Sequence, residues 1–129
     1  MKSIFTSFML TSVLLLSSVK QSNIDEVIGA IRSGNASELS KYFDDNVELT
    51  LPDKSDNYSK AQAQVIVKDF FTNNKVKGFD LKHKSGDTPG GHFCIGTLQT
   101  SAGNFRTNVF MKIKAGKEVV KEIRFQAIE

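Results

Sequence analysis

The sequence is poor in the residues that build disulfide frameworks, metal centres and reactive thiol sites. Its 129 residues include one cysteine and two histidines. A single cysteine excludes an intramolecular disulfide bond, even in an oxidising compartment. The histidines and scattered carboxylates do not have the ligand spacing of zinc sites, and no glycine-rich phosphate loop links a strand to a helix. We therefore expect neither a metal ion nor another cofactor.

An excess of charge of one sign is also lacking. Lysine and arginine number 17 against 14 aspartates and glutamates, which gives a formal net charge of +3. Nucleic-acid binding requires a concentrated basic stripe, whereas the lysines here are dispersed along the chain. The sequence therefore argues against a nucleic-acid partner.

The only long apolar run lies at the N-terminus. Lys2 precedes the run Ile4–Leu16, and small serines follow it up to Ser18. This layout predicts a secretory signal peptide over residues 1–18, although the cleavage point stays open. The run is shorter than the ~20 residues of a spanning helix, and no cysteine near its end could carry a lipid. We expect a soluble, exported periplasmic or extracellular domain over residues 22–129, without a stable membrane anchor.

Three helices are indicated by their start signals. NIDE at 23–26, NASE at 35–38 and SKAQ at 59–62 each place a capping residue three positions before Glu or Gln. In this spacing the cap side chain accepts a free backbone N–H, and the Glu or Gln reaches back to the cap. Gly34 is placed to end the first helix in a left-handed conformation, and the asparagines at 73–74 end the third.

The remainder of the chain alternates apolar and polar residues, which is typical of strands. Val47, Leu49 and Leu51 form one such run, and Pro52 ends it. Further runs cover residues 79–84, 93–99, 105–114 and 119–127, with hairpin-length turns at 100–103 and 115–117. Helices first and strands last predict one α+β domain, a roll with three helices packed on an antiparallel meander.

The segments SGNASELSKYF, VELTLPDK, YSKAQA and GNFRTNVFMK carry a family resemblance. Their order is similar to that of the nuclear transport factor two-like superfamily, which includes ketosteroid isomerases and SnoaL-like cyclases. The whole mature chain resembles an exported bacterial family of unknown function within it. The resemblance implies a cone-shaped, cystatin-like roll with a curved antiparallel sheet, a pocket between helices and sheet, and a homodimer. It implies no activity, because the superfamily contains both enzymes and binding proteins.

Catalysis of the isomerase type is not favoured. In the isomerases a general-base Asp stands immediately before a Pro at the end of the first strand, but this chain has Leu51 before Pro52. Proton abstraction needs a base within reach of the substrate. Asp53 could replace it only if its loop folds inward.

The polar residues on predicted strands suggest where a ligand would bind. His83 shares a predicted apolar face with Phe79 and Leu81, so a polar side chain there either finds partners in the core or lines a wet cavity. The candidate ligand contacts are His83, Thr97, Gln99 and Thr107, with the hydroxyls of Tyr42 and Tyr58 at the pocket mouth. The alternative is a cluster of mutually satisfied polar groups.

Cys94 lies two residues after His92, but side chains at this spacing on a strand start about 7 Å apart, which is loose for a nucleophile and its base. We therefore interpret Cys94 as a small apolar filler, here on the outer face of the sheet. That face is a candidate dimer surface, and an ordinary solvated face is the alternative. Its proposed members are Cys94, Leu98, Phe110, Val120, Arg106 and Arg124.

Three hypotheses follow for the function. The first is an exported domain that binds a small molecule or an envelope partner without catalysis. The second is an isomerase-like or lyase-like enzyme with His83 as acid or base, which requires a carboxylate or tyrosine beside His83 in a cavity. The third is a structural interaction module whose core is filled.

Overall fold

The computed structural model describes residues 23–86 and 88–128, so the expected signal peptide lies outside the described residues. Helices and strands follow in the order α1 (Asn23–Arg32), α2 (Ala36–Ser40), β1 (Phe43–Leu51), β2 (Lys54–Ser59), α3 (Lys60–Asn74), β3 (Val76–Lys84), β4 (Phe93–Thr100), β5 (Gly103–Lys114) and β6 (Lys117–Ala127). None of the helices in these ranges is long and apolar enough to cross a membrane.

The helix boundaries follow the capping signals closely. Ser59 caps α3 with its side chain accepting from the backbone N–H of Gln62 at 3.2 Å, and the Gln62 side chain accepts from the Ser59 N–H at 3.3 Å. Asn35 caps α2 by accepting from the N–H of Glu38 at 3.0 Å. Gly34, with φ of +67°, ends the turn after α1, as predicted.

The six strands form one curved sheet in the order β2-β1-β6-β5-β4-β3. The α+β roll is confirmed. The sheet is mixed rather than wholly antiparallel, because β1 runs parallel to β6. Strand β2 was not predicted, since its residues do not alternate and all except Tyr58 are exposed. It forms because the turn after Leu51 folds the chain back onto β1, where Leu51 pairs with Lys54.

The helices cover one face of the sheet and bury its central part. From the helices, Ile24, Val27, Ile31, Leu39 and Val67 are at most 1% exposed. From the sheet, Val47, Leu49, Val109, Ile123 and Phe125 are 0% exposed. Fully burying one such side chain contributes about 1.5–3 kcal/mol. This apolar layer fixes which side of every strand faces inward.

Several β-bulges or irregularities shift the register of the described strands, and two of them change the face assignments of candidate residues. In β3, Leu81 lies opposite Gly96 but His83 lies opposite Ile95, so the chain gains one residue between them. In β6, Val120 and Glu122 lie opposite the adjacent residues Met111 and Phe110. One extra residue moves every following side chain to the other face. The bulges therefore overturn several face assignments that strict alternation predicts.

A small ion cluster ties the start of β1 to the end of β5. The Asp44 carboxylate, whose side chain is 9% exposed, lies 2.8 Å from the ammonium groups of both Lys112 and Lys114. Hydrogen bonds from these lysines hold the pKa of Asp44 well below its usual range. The cluster stabilises the corner at which β1 enters the sheet.

Candidate functional site

Aromatic side chains fill the space between α3 and the sheet, where the resemblance implies a pocket. The Phe70 ring lies 4.7 Å from that of Phe125 and 5.1 Å from that of Phe105, measured between ring centroids. Phe71 packs edge-on against Phe125 at 6.0 Å. All four side chains are buried. This part of the roll is therefore packed core rather than cavity.

A cleft remains at one end of the roll, and we call it the end cleft. It encloses about 410 Å³ between the second half of α3, the turn from β1 to β2, and the adjoining ends of β5 and β6. Its apolar lining consists of Leu51, Pro52, Ile66, Phe70, Phe105 and Ala127, and its polar lining of Asp53, Lys54, Asp69, Asn73 and Asn74. Phe70 and Phe105 therefore serve both the core and the floor of the cleft.

The charged groups at the rim come from two separate elements. Asp53 and Lys54 sit at the turn after Pro52, whereas Asp69 lies on α3, four residues before Asn73 and thus on the same helix face. All three charged residues are exposed. Within residues 23–86 and 88–128, neither carboxylate has an ion-pair or hydrogen-bond partner. The rim thus offers two free carboxylates and one ammonium group, a net negative charge.

The floor of the cleft has an aliphatic side chain, Leu51, at the position before Pro52 where the sequence resemblance would place a general base. Leu51 is 7% exposed and lines the apolar floor, and the chain turns so that Asp53 reaches the rim. A general base needs a neighbour or hydrogen bond that holds it towards the reacting atom. Nothing in the described part of the chain orients Asp53 or Asp69 in this way.

The predicted ligand contacts do not come together at this cleft. His83, Thr97 and Gln99 lie on the outer face of the sheet, and the His83 ring packs against Phe93 at 5.4 Å. Thr107 faces the core, is 0% exposed, and donates to the carbonyl of Phe105. The shared face predicted for these four residues is wrong because the bulge after Leu81 turns His83 outward. For Thr97 and Gln99 the reason is different: the sequence predicts them on the inner face of β4, but that face is formed by the alternate residues from Cys94 to Thr100.

The two tyrosines occupy different places. Tyr42 is half-buried against the core, and its backbone carbonyl accepts a hydrogen bond from the N–H of Val120 at 2.7 Å. Tyr58 is half-buried on β2 and lines a separate apolar groove with residues of α3. Neither tyrosine lines the end cleft, and the pocket between α3 and the sheet, at whose mouth their hydroxyl groups were expected, is filled by aromatic side chains.

The composition predicted for the dimer surface is also wrong in part. Cys94, Leu98 and Val120 are 0% exposed and belong to the core. Cross-strand pairing explains this result for β4, because Cys94 lies opposite Val109 and Leu98 opposite Phe105, both of which face inward. The bulge in β6 explains it for Val120.

An outer aromatic row lies on the opposite face of the sheet, consisting of His83, Phe93, Phe110 and Arg124. The Phe93 and Phe110 rings are 6.3 Å apart, and the Arg124 guanidinium lies over the Phe110 ring at 5.7 Å. Phe93 and Phe110 are half-buried, and Arg106 on the same face is exposed. The outer face therefore keeps Phe110, Arg106 and Arg124 of the predicted set, together with His83 and Phe93, which were predicted on the other face.

Cys94 is a buried side chain of the core, not of the outer face on which it was expected. Burial raises the pKa of its thiol to about 11, so the thiolate is strongly disfavoured. His92 is engaged elsewhere, since its Nδ1 lies 2.5 Å from Oε2 of Glu118, and the same oxygen accepts from the His92 backbone N–H at 2.7 Å. Across residues 23–86 and 88–128, no group of three His, Cys, Asp or Glu side chains could hold a metal ion.

The sequence of α3 contained a signal for the helical side of the end cleft, which the alternation of residues along the strands did not reveal. Asp69 and Asn73 share one flank of α3 with Ile66 and Phe70, in a mixed polar and apolar stripe. A helix with one core-facing side would carry its apolar residues on that side and its polar residues on the opposite side. Phe105 and Ala127 line the cleft because β5 and β6 pair with each other, and no pattern among neighbouring residues in the sequence indicates this.

Comparison with known proteins gives a family and a fold but no activity. The family model described as a domain of unknown function, DUF4783, matches residues 24–126. A DUF4783 family protein from Bacteroides uniformis is 38% identical, with a TM-score of 0.78, over 81% of this chain and 96% of that chain. One from Bacteroides ovatus is 39% identical, with a TM-score of 0.75, over 81% and 94% respectively.

More distant structures confirm the fold that the sequence resemblance implied. An NTF2-like protein of unknown function from Cytophaga hutchinsonii has a TM-score of 0.57 over 81% of this chain and 86% of that chain. At 10% identity the likeness concerns the fold alone. No curated protein matches the sequence.

Proposed function

Because this chain belongs to the DUF4783 family, whose function is unknown, we propose its function from the end cleft: an exported domain that binds a small amphipathic molecule without catalysing a reaction. The observation that carries the proposal is an apolar floor of Leu51, Phe70 and Phe105 below free carboxylates at the rim. Small-molecule sites combine an apolar lining with a few polar groups in this way, at volumes of about 300–1,000 Å³.

The charge of the rim favours a particular kind of head group. Asp53 lines the cleft from the turn after Pro52 and Asp69 lines it from α3, and Lys54 neutralises only one of their charges. Ionised carboxylates only accept hydrogen bonds. An ammonium group, or several hydroxyl groups, on the ligand could donate hydrogen bonds to both of them. A ligand with a cationic or hydrogen-bond-donating head therefore fits better than an anionic one.

Catalysis by His83 finds no support in this arrangement. The hypothesis required a carboxylate or tyrosine beside His83 inside a cavity, but the His83 side chain is exposed on the outer face and packs on Phe93. The filled-core hypothesis is supported for the centre of the roll, where the phenylalanines meet. It does not account for the cleft at the end.

A thermal-shift screen of the domain tests the proposal. The panel pairs small amphipathic amines and polyols with acids that have the same apolar part. A ligand at 100 times its dissociation constant adds about 2.7 kcal/mol, which raises the melting midpoint by roughly 10 °C for a domain of this size. We expect shifts with amines or polyols and little change with the acids.

Matched variants locate the binding. Asp69→Asn removes one rim charge without changing the side-chain shape, and we expect it to weaken amine binding about tenfold. Glu48→Gln is the control, because Glu48 is an exposed carboxylate on β1 outside the cleft. Equal affinity of the two variants, or no shift by any compound in the panel, would contradict binding at the cleft.

We also propose that the domain acts outside the cytoplasm as a homodimer. Export follows from the signal-peptide layout of residues 1–18, and cell fractionation tests it. Dimerisation is supported by the outer aromatic row, an apolar strip bordered by charges of both signs, which a second copy related by a two-fold axis would bury.

Sedimentation velocity tests the dimer. Phe110→Ser should weaken association at least tenfold, because each buried Phe contributes about 1.5–3 kcal/mol. Ile128→Ser is the control, since Ile128 is also exposed but lies at the end of the chain beyond β6. A monomeric wild-type protein at high concentration, or a Phe110→Ser dimer of unchanged affinity, would contradict the proposal.

A further inference from the structure

A second depression lies on the solvent side of α3, next to the end cleft. It also encloses about 410 Å³ and is lined by Tyr58, Ala61, Gln62, Val65 and Ile66. We call it the α3 groove. The polar groups of its lining are the Tyr58 hydroxyl and the Gln62 amide, and Gln62 is already engaged in the capping box with Ser59. The groove is thus almost wholly apolar although it faces solvent.

Val65 is the clearest sign that this surface is unusual. Its side chain is 57% exposed, the highest exposure among the large apolar residues that stand out in the described part of the chain. A surface helix normally keeps such residues on its core face, where α3 buries Ala63, Val67, Phe70 and Phe71. Val65 therefore leaves more than half of an apolar side chain in contact with solvent.

The groove and the cleft adjoin each other at Ile66. Ile66 lines both of them, and successive turns of α3 lead from Ala61 and Val65 in the groove to Phe70 and Asn73 in the cleft. From Ala61 to Asn73 this path covers about 18 Å at the helical rise of 1.5 Å per residue. Its lining changes from apolar at the groove to charged and polar at the rim of the cleft.

We infer that the natural ligand of the end cleft carries an aliphatic tail, and that this tail lies in the α3 groove. The inference rests on the proposed function and specifies its ligand class: a long-chain amphiphile whose hydrogen-bond-donating head is held between Asp53 and Asp69. The direction of the molecule follows from the lining, because the carboxylates stand at one end of the path and the exposed valine at the other.

Isothermal titration with primary alkylamines from butyl to dodecyl, below their micellar concentrations, tests the inference. Butylamine occupies only the end cleft, whereas longer chains reach the α3 groove. We expect the affinity to rise about two- to fourfold for each methylene that the groove covers, since a fully buried methylene gives about fourfold. Beyond the length of the groove the affinity should level off.

Two groove variants separate the tail from the head. Val65→Gln removes the exposed apolar wall while keeping a good helix former, and Ala61→Gln adds bulk that blocks the groove. Both should flatten the dependence on chain length and leave butylamine binding unchanged. Ile113→Gln is the matched control, because Ile113 is 48% exposed on β5 and lines neither depression.

The outcomes distinguish the two proposals. If butylamine binds but longer amines bind no better, or if Val65→Gln leaves the chain-length dependence intact, the tail site is wrong and the cleft proposal stands. If none of the amines binds, the cleft proposal fails as well. If Val65→Gln changes the sedimentation coefficient of the ligand-free protein, the groove is a contact between copies, which also overturns the inference.

Discussion

A substitution at Gly96 is the most direct test of which face of strand β4 points into the core. A Cβ atom built at this position would lie 2.5 Å from Cζ of Phe79 and 2.7 Å from the backbone carbonyl oxygen of Asp80. Real Cβ contacts essentially never fall below 3.0 Å. The Phe79 ring can turn, but the Asp80 carbonyl belongs to β3, which pairs with β4 along its length.

Gly96→Ala should therefore destabilise the domain by about 2–3 kcal/mol, at the upper end of the usual cost of overpacking. With 4–8 °C per kcal/mol for a domain of about this size, the melting midpoint should fall by roughly 10–20 °C. Gly29→Ala is the control, because Gly29 lies in α1 and a Cβ there meets nothing within 4 Å. It should raise the stability by about 0.5–1 kcal/mol.

A double-mutant cycle identifies the clash. Phe79→Leu shortens the ring that covers Gly96, so Gly96→Ala should cost about 1 kcal/mol less in that background. The contact with the Asp80 carbonyl remains and should leave a residual cost. If Gly96→Ala were neutral or stabilising, Gly96 would face solvent, and the inner face of β4 would be the one that alternation predicts.

The remaining predictions concern groups outside the cleft. Asp44→Asn should lower the free energy of unfolding by about 1–2 kcal/mol at neutral pH. Because the folded structure holds the pKa of Asp44 below its usual value of 3.8, this contribution is complete above about pH 5 and is lost progressively at lower pH; urea titrations of both proteins should converge in acid. Cys94 should resist a thiol reagent in the folded protein at mildly alkaline pH and react at once in guanidinium chloride, since it is 0% exposed and its pKa is raised to about 11; rapid native labelling would contradict its burial. Glu118→Gln should cost about 1–3 kcal/mol by weakening two hydrogen bonds with His92, and calorimetry should show this loss without a change in amine affinity.

Features that depend on a few neighbouring residues were predictable from the sequence. The capping residues Asn35 and Ser59 and the glycine at 34 act through contacts within one helical turn, so local spacing determines them. The turns at 100–103 and 115–116 are likewise local, and both separate strands as expected. These signals located all three helices and most strand boundaries.

The direction of side chains across the sheet was not predictable in the same way. Alternation states which residues share a face, but the neighbouring strands decide which face is buried. On β4, Phe93 and Ile95 are more apolar than Cys94 and Gly96, yet pairing with Thr107 and Val109 turns the smaller residues inward. The bulges before His83 and before Glu122 have no sequence signal in this chain, and each one reverses the faces beyond it.

The candidate site depended on these same long-range contacts. The sequence placed the pocket between α3 and the sheet, but Phe70, Phe105 and Phe125 meet there and close it. Their contact requires β5 and β6 to lie beside each other under α3, which residue spacing along the chain cannot reveal. The polar residues expected in the pocket were consequently assigned to a space that does not exist.

The filling of the roll by aromatic residues constrains what the end cleft can bind. Phe70 and Phe105 form its floor and also half of the aromatic core, so a deeper cleft would require the removal of core contacts. Truncating either ring to Ala would cost about 3–5 kcal/mol, a large part of the stability of a small domain. The cleft can therefore gain affinity only by extending sideways along the surface. The α3 groove is the apolar extension that adjoins it, and a long ligand that exchanges readily with solvent suits such a site better than a compact one buried in the fold.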